Sequence, residues 1–102
     1  MAIRELTKED PRLSLSEGVT LLDFYATWCA PCKALAPSLT KFAANTPEVS
    51  VVKIDIEQHP ELTKQYEVRS VPTLVLVKDG KVVKTRIGGR VPGFTLEAFC
   101  SV

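Results

Sequence analysis

Two nearly unbroken apolar runs, Val19 to Tyr25 and Val49 to Ile56, flank a segment of helical period, and this order limits the fold more than any other feature of the chain. A strand that is apolar almost throughout is one covered on both faces. Between the runs, Ala34 to Asn45 carries Leu35, Leu39, Phe42 and Ala43 on one stripe and reads as a helix. Pro37 falls inside it and predicts a kink. A helix joining two strands of one sheet is a crossover, so these strands are expected to run parallel.

The remaining segments extend the pattern. Ile3 to Leu6 is compatible with a short first strand, and Thr7, Asp10 and Pro11 suggest a short helix closed by Glu17-Gly18. Pro60 suits a first helical turn, with Leu62 and Tyr66 stacked four residues apart on the buried side. Thr73 to Val77 reads as a strand, and Asp79-Gly80 as a hairpin turn into Val82 to Ile87, which must then run antiparallel. Gly88-Gly89 stops that strand. Phe94 to Cys100 reads as a last helix, with Leu96, Phe99 and Cys100 available to pack. The expected fold is α/β in three layers, a mixed sheet of four to five strands between helices. No repeat, linker or low-complexity tract interrupts residues 1–102, which are read as one domain.

The 13 basic and 12 acidic residues leave a net charge of +1, which gives no electrostatic case for nucleic acid or a membrane as partner. No stretch reaches membrane-spanning length, and Met1-Ala2-Ile3-Arg4-Glu5 lacks a signal-peptide core. Three cysteines are too few, and odd in number, for a secreted disulfide framework. A cytoplasmic, monomeric protein is the expectation.

Two of those cysteines carry the chemistry. Cys29 and Cys32 lie in Thr27-Trp28-Cys29-Ala30-Pro31-Cys32-Lys33, where the first apolar run hands over to the helix. The thiolate is the nucleophile in disulfide exchange. The free N–H groups and positive dipole end of a helix lower a cysteine pKa from about 8.5 to roughly 3.5–7.5. Spacing of three puts the second sulfur on the same helical face, able to attack a mixed disulfide formed at the first. Pro31 preforms the first turn. Ala30 offers no cation to stabilise the thiolate further, which favours a reductant over an oxidase or isomerase. Zinc would need Cys29, Cys32, Cys100 and His59 to converge, and His59 is expected at the surface. Cys100 is read as a small core residue, and Tyr25 as simple packing. Asp23 interrupts its strand between Leu22 and Phe24. Either it reaches solvent at the strand end, or it is a buried carboxyl whose raised pKa lets it take the Cys32 proton.

Trp28-Cys29-x-Pro31-Cys32, following a strand that carries Asp23, resembles the thioredoxin family, and the likeness extends over nearly the whole chain. The family usually has Gly where this chain has Ala30. The resemblance implies a thioredoxin fold and a protein-disulfide reductase with Cys29 attacking and Cys32 resolving. It holds no cofactor of its own and is recharged by an NADPH-dependent thioredoxin reductase. It further implies a functional Asp23, with Lys53 beside it stabilising the carboxylate, whereas Lys53 alone reads equally as a snorkelling surface residue. A cis bond at Val71-Pro72 facing the disulfide is likewise implied. So is a shallow, mostly apolar groove of Trp28, Ala30, Pro31, Val71, Pro72 and Gly88-Gly89 that takes an extended segment of a protein disulfide substrate. Glutaredoxin-like reductases place proline differently, before the middle aromatic of their motif. A purely non-redox binding module would need neither both thiols nor Asp23.

Overall fold

The computed structural model describes residues 3–8, 13, 15, 17–88 and 95–101. They form β1 (Ile3–Glu5), β2 (Val19–Tyr25), α1 (Ala30–Asn45), β3 (Val49–Asp55), α2 (Pro60–Gln65), β4 (Thr73–Lys78), β5 (Lys81–Ile87) and α3 (Leu96–Phe99). The strands make one five-stranded sheet in the order β1-β3-β2-β4-β5. β3 runs parallel to β1 and β2, while β4 is antiparallel to β2 and β5. The crossover and the hairpin thus stand as the apolar runs require. At the hairpin, Asp79 (φ 51°) and Gly80 (φ 86°) are both left-handed, the geometry that matches the twist of the paired strands.

Alternation along β2 divides the core. Leu21 faces one side with Leu35, Leu39 and Phe42 of α1, Leu96 of α3 and Cys100. Leu22 and Phe24 face the other, with Val52 and Ile54, where Leu62 of α2 and Tyr66 pack. The layers are therefore α1 with α3, the sheet, and α2. Leu21, Leu22, Phe24, Leu39 and Ile54 are fully buried. Cys100 belongs to this core as expected.

Several boundaries differ from the sequence reading. α1 begins at Ala30, four residues before the segment Ala34 to Asn45, so that it takes in Pro31 at its first turn, and it continues past Pro37. α3 starts at Leu96, where Thr95 caps it by accepting the Ala98 N–H at 3.1 Å. The expected helix around Asp10 and Pro11, the residue Phe94 and Gly89 lie outside the described residues. His59 corrects a plain expectation, because it is buried rather than at the surface. Its Nε2 lies 3.0 Å from the Leu6 carbonyl, so the imidazole satisfies a buried backbone group where the chain leaves β1. That contact spans 53 residues and has no local signature.

Candidate active site

Residues 26–29 carry the chain from the end of β2 into α1. Ala26 is buried, Thr27 and Trp28 are exposed, and the Cys29 N–H donates to the Ala26 carbonyl at 3.2 Å. Cys29 then occupies the N-cap with extended backbone (φ −89°, ψ 112°), and its Sγ accepts the Cys32 N–H at 3.1 Å. That position normally holds an oxygen side chain, which satisfies a free donor of the first turn. Here sulfur does so. Pro31 sits in the first turn, and no acidic residue does, so nothing there offsets the positive end of the helix.

Cys29 and Cys32 are joined as a disulfide, with Cα atoms 5.2 Å apart. They are 4% and 6% exposed, so burial does not tell the two sulfurs apart. Position on the helix does. Cys29 stands at the cap, where the N–H groups point, and Cys32 one turn in. Ala26, Tyr25, Ile56 and Val71 pack around the pair. Cys100, in the core cluster with α1 and α3, has its thiol pushed up to about 11, chiefly by burial.

Asp23 is 2% exposed, which removes the reading that it reaches solvent. Its pKa is pushed up to about 6: burial disfavours the charge, Lys53 opposes that, and the negative charge of Glu5 adds to it. Its Oδ1 is buried with no hydrogen-bond partner. Lys53 pairs with Asp23 in the β2–β3 register and is half-buried. Its ammonium lies 4.6 Å from the centroid of the Tyr25 ring, a cation–π contact. The Tyr25 hydroxyl donates to Glu5 Oε2 at 2.7 Å. Burial and this bond to Glu5 raise the phenol well above its ordinary range. Tyr25 is therefore more than packing, a correction that no local pattern announces, because Glu5 lies two strands away.

The expected substrate face is placed as follows. Trp28 is 64% exposed, with its indole N–H donating to Glu57 Oε2 at 3.2 Å, while Ala30 and Pro31 are exposed beside it. The Val71–Pro72 bond is cis. Val71 packs on the sulfur pair, Pro72 is buried, and its carbonyl accepts the Gly88 N–H at 2.8 Å. Gly88 has φ +79°, which a side chain rarely adopts. Glu57 completes the setting of Trp28 and was not legible in the sequence. Among the described residues, no three His, Cys, Asp or Glu side chains cluster to hold a metal ion.

A sulfur pair that caps a helix at the end of a central strand, on this mixed sheet, defines a thiol–disulfide oxidoreductase. The Thioredoxin family model matches residues 3–100. The chain is 43% identical over 86 residues to the thioredoxin of Chlamydia trachomatis, covering 84% of each chain. Mitochondrial thioredoxin 3 of Saccharomyces cerevisiae, in its oxidised form, is similar at a TM-score of 0.70 and 43% identity, over 72% of this chain and 70% of that one. A chain in a structure of the thiol-resolving mechanism of yeast mitochondrial 1-Cys peroxiredoxin via glutathione/thioredoxin systems gives 0.71 and 41%, over 74% and 72%. The chain belongs to the thioredoxin family, whose members are protein-disulfide oxidoreductases.

Proposed function

We propose that Cys29 is the attacking thiolate and Cys32 the resolving thiol in the reduction of protein disulfides, with Asp23 as proton acceptor. The observation that carries this is the Cys29 sulfur at the N-cap of α1, accepting the Cys32 N–H. The Cys29 thiolate attacks one sulfur of the substrate disulfide, and the other substrate sulfur leaves as a thiolate. Cys32 then gives its proton to Asp23 and attacks the Cys29 sulfur. The second substrate sulfur leaves as a thiolate, so the two substrate sulfurs together gain the two electrons that the Cys29 and Cys32 thiols lose in forming their disulfide. A carboxyl that titrates near pH 6 is matched to this task at neutrality.

The substrate segment lies extended against Trp28, Ala30, Pro31, Val71, Pro72 and Gly88, with the Val71 backbone offering strand-like hydrogen bonds. Lys53 favours the charged form of Asp23 once it has released the proton onward. A thioredoxin reductase returns the disulfide to the dithiol. The likeness to a chain in a structure on the thiol-resolving mechanism of a 1-Cys peroxiredoxin via glutathione/thioredoxin systems supports thiol peroxidases among the substrates. The protein acts as a single monomeric domain in the cytoplasm, where thiols are kept reduced.

Two substitutions test the roles. Cys29→Ser abolishes reduction of a disulfide-containing protein, whereas Cys32→Ser leaves the first attack intact and accumulates mixed disulfides at Cys29. Mixed disulfides forming at Cys32 in Cys29→Ser instead would reverse the assignment.

A further inference from the structure

Lys53 stands between two carboxylates. The β1–β3 register sets Glu5 beside it on one side, and the β2–β3 register sets Asp23 on the other. Paired residues on adjacent strands, about 4.8 Å apart, project to the same face. Tyr25 lies two residues beyond Asp23 on that face. To reach Glu5 on β1, its ring must pass over β3, which lies between β1 and β2. There the ring receives the Lys53 ammonium at 4.6 Å while the hydroxyl bonds Glu5 at 2.7 Å. The same ring packs on the cluster holding Cys29 and Cys32. No direct ion pair joins Lys53 to Asp23 among the described residues, and Asp23 Oδ1 is left without a hydrogen bond.

We propose that Glu5 and Tyr25 are positioning residues for Asp23. Their hydrogen bond holds the Lys53 ammonium over the ring, drawing it away from a direct ion pair that would favour the ionised form of Asp23. The negative charge of Glu5 also opposes that ionisation directly.

The other groups around Asp23 do not supply this effect. β4 presents the uncharged Leu74 beside it, and Arg86 of β5 lies one strand further along the row. Asp55 pairs with Tyr25 one step along β3 and binds the Glu57 N–H through its Oδ1 at 2.9 Å. The consequence for catalysis rests on Asp23 accepting the Cys32 proton, as proposed above.

The test is an NMR titration of the Asp23 carboxyl in the full chain, alongside the pH–rate profile for reduction of a protein disulfide. Glu5→Gln keeps an oxygen for the Tyr25 hydroxyl and removes only the charge. It moves the Asp23 midpoint to lower pH by roughly half a pH unit. Tyr25→Phe keeps the ring, frees Glu5 into solvent, and moves the midpoint the same way by less. A midpoint unmoved in both variants, or moved to higher pH, overturns the proposal. A midpoint that falls while the rate profile stays in place supports the positioning role and instead removes Asp23 as the proton acceptor.

Discussion

Asp23 shows how one residue ties stability to chemistry. The folded protein holds the Asp23 proton up to about pH 6, while an unfolded chain releases it near 3.8. Between those values the native state binds more protons, so stability falls as pH rises and levels off above the folded value. At 2% exposure solvent screens little, and the net effect of burial, Lys53 and Glu5 on the charge costs about 3 kcal/mol above pH 7. Asp23→Asn, which mimics the protonated form, should match wild type below pH 4 and gain stability up to that amount above pH 7. Denaturant unfolding across this range checks it; an equal gain at every pH would contradict the charge as cause. The same variant should slow resolution by Cys32. In sequence, Asp23 was visible as an acid in an apolar strand, but its burial was not, because solvent access at a strand end depends on what packs there. His59 and Tyr25 misled for a related reason. Their partners, Leu6 and Glu5, are distant in sequence and become neighbours only through the packing around β1.

Helix termini decide most at the level of elements. The hydrophobic stripe set only the body of α1 in the sequence, while Pro31 marked its first turn; the cap itself was not legible, because cysteine is not among the usual cap residues. The cap is given to a reactive sulfur, and the helix is held instead by Leu35, Leu39 and Phe42 against the sheet. α3 follows the ordinary rule, with a threonine cap, and its four residues leave little else to fix its start. Thr95→Ala should therefore destabilise the protein by about 1 kcal/mol, read as a lower denaturation midpoint with unchanged slope. A neutral result would show that Leu96 and Cys100 anchor the segment without the cap. The strands were the most legible elements, since continuous apolar runs and Asp79-Gly80 fix their type and pairing sense locally. Register was not legible, and register is what sets Lys53 between Glu5 and Asp23.

Across the whole molecule, the sheet brings residues from separate parts of the chain to one end of α1. β2 supplies Tyr25, the segment before β4 supplies Val71, and both pack on the cluster of the two sulfurs, while Pro72 is tied to Gly88 after β5. The cis bond at Pro72 and the role of the groove were accessible only through family resemblance, because neither has a mark in local pattern. The cysteine pair needed no such help. All of this converges on the ionisation of one sulfur, so the most direct measurement is the thiolate absorbance of the reduced protein followed against pH, with Cys32→Ser assigning the signal. Cys29 should ionise first, within roughly pH 3.5–7.5. Ionisation near the ordinary value of about 8.5, or Cys32 ionising ahead of Cys29, would contradict the account.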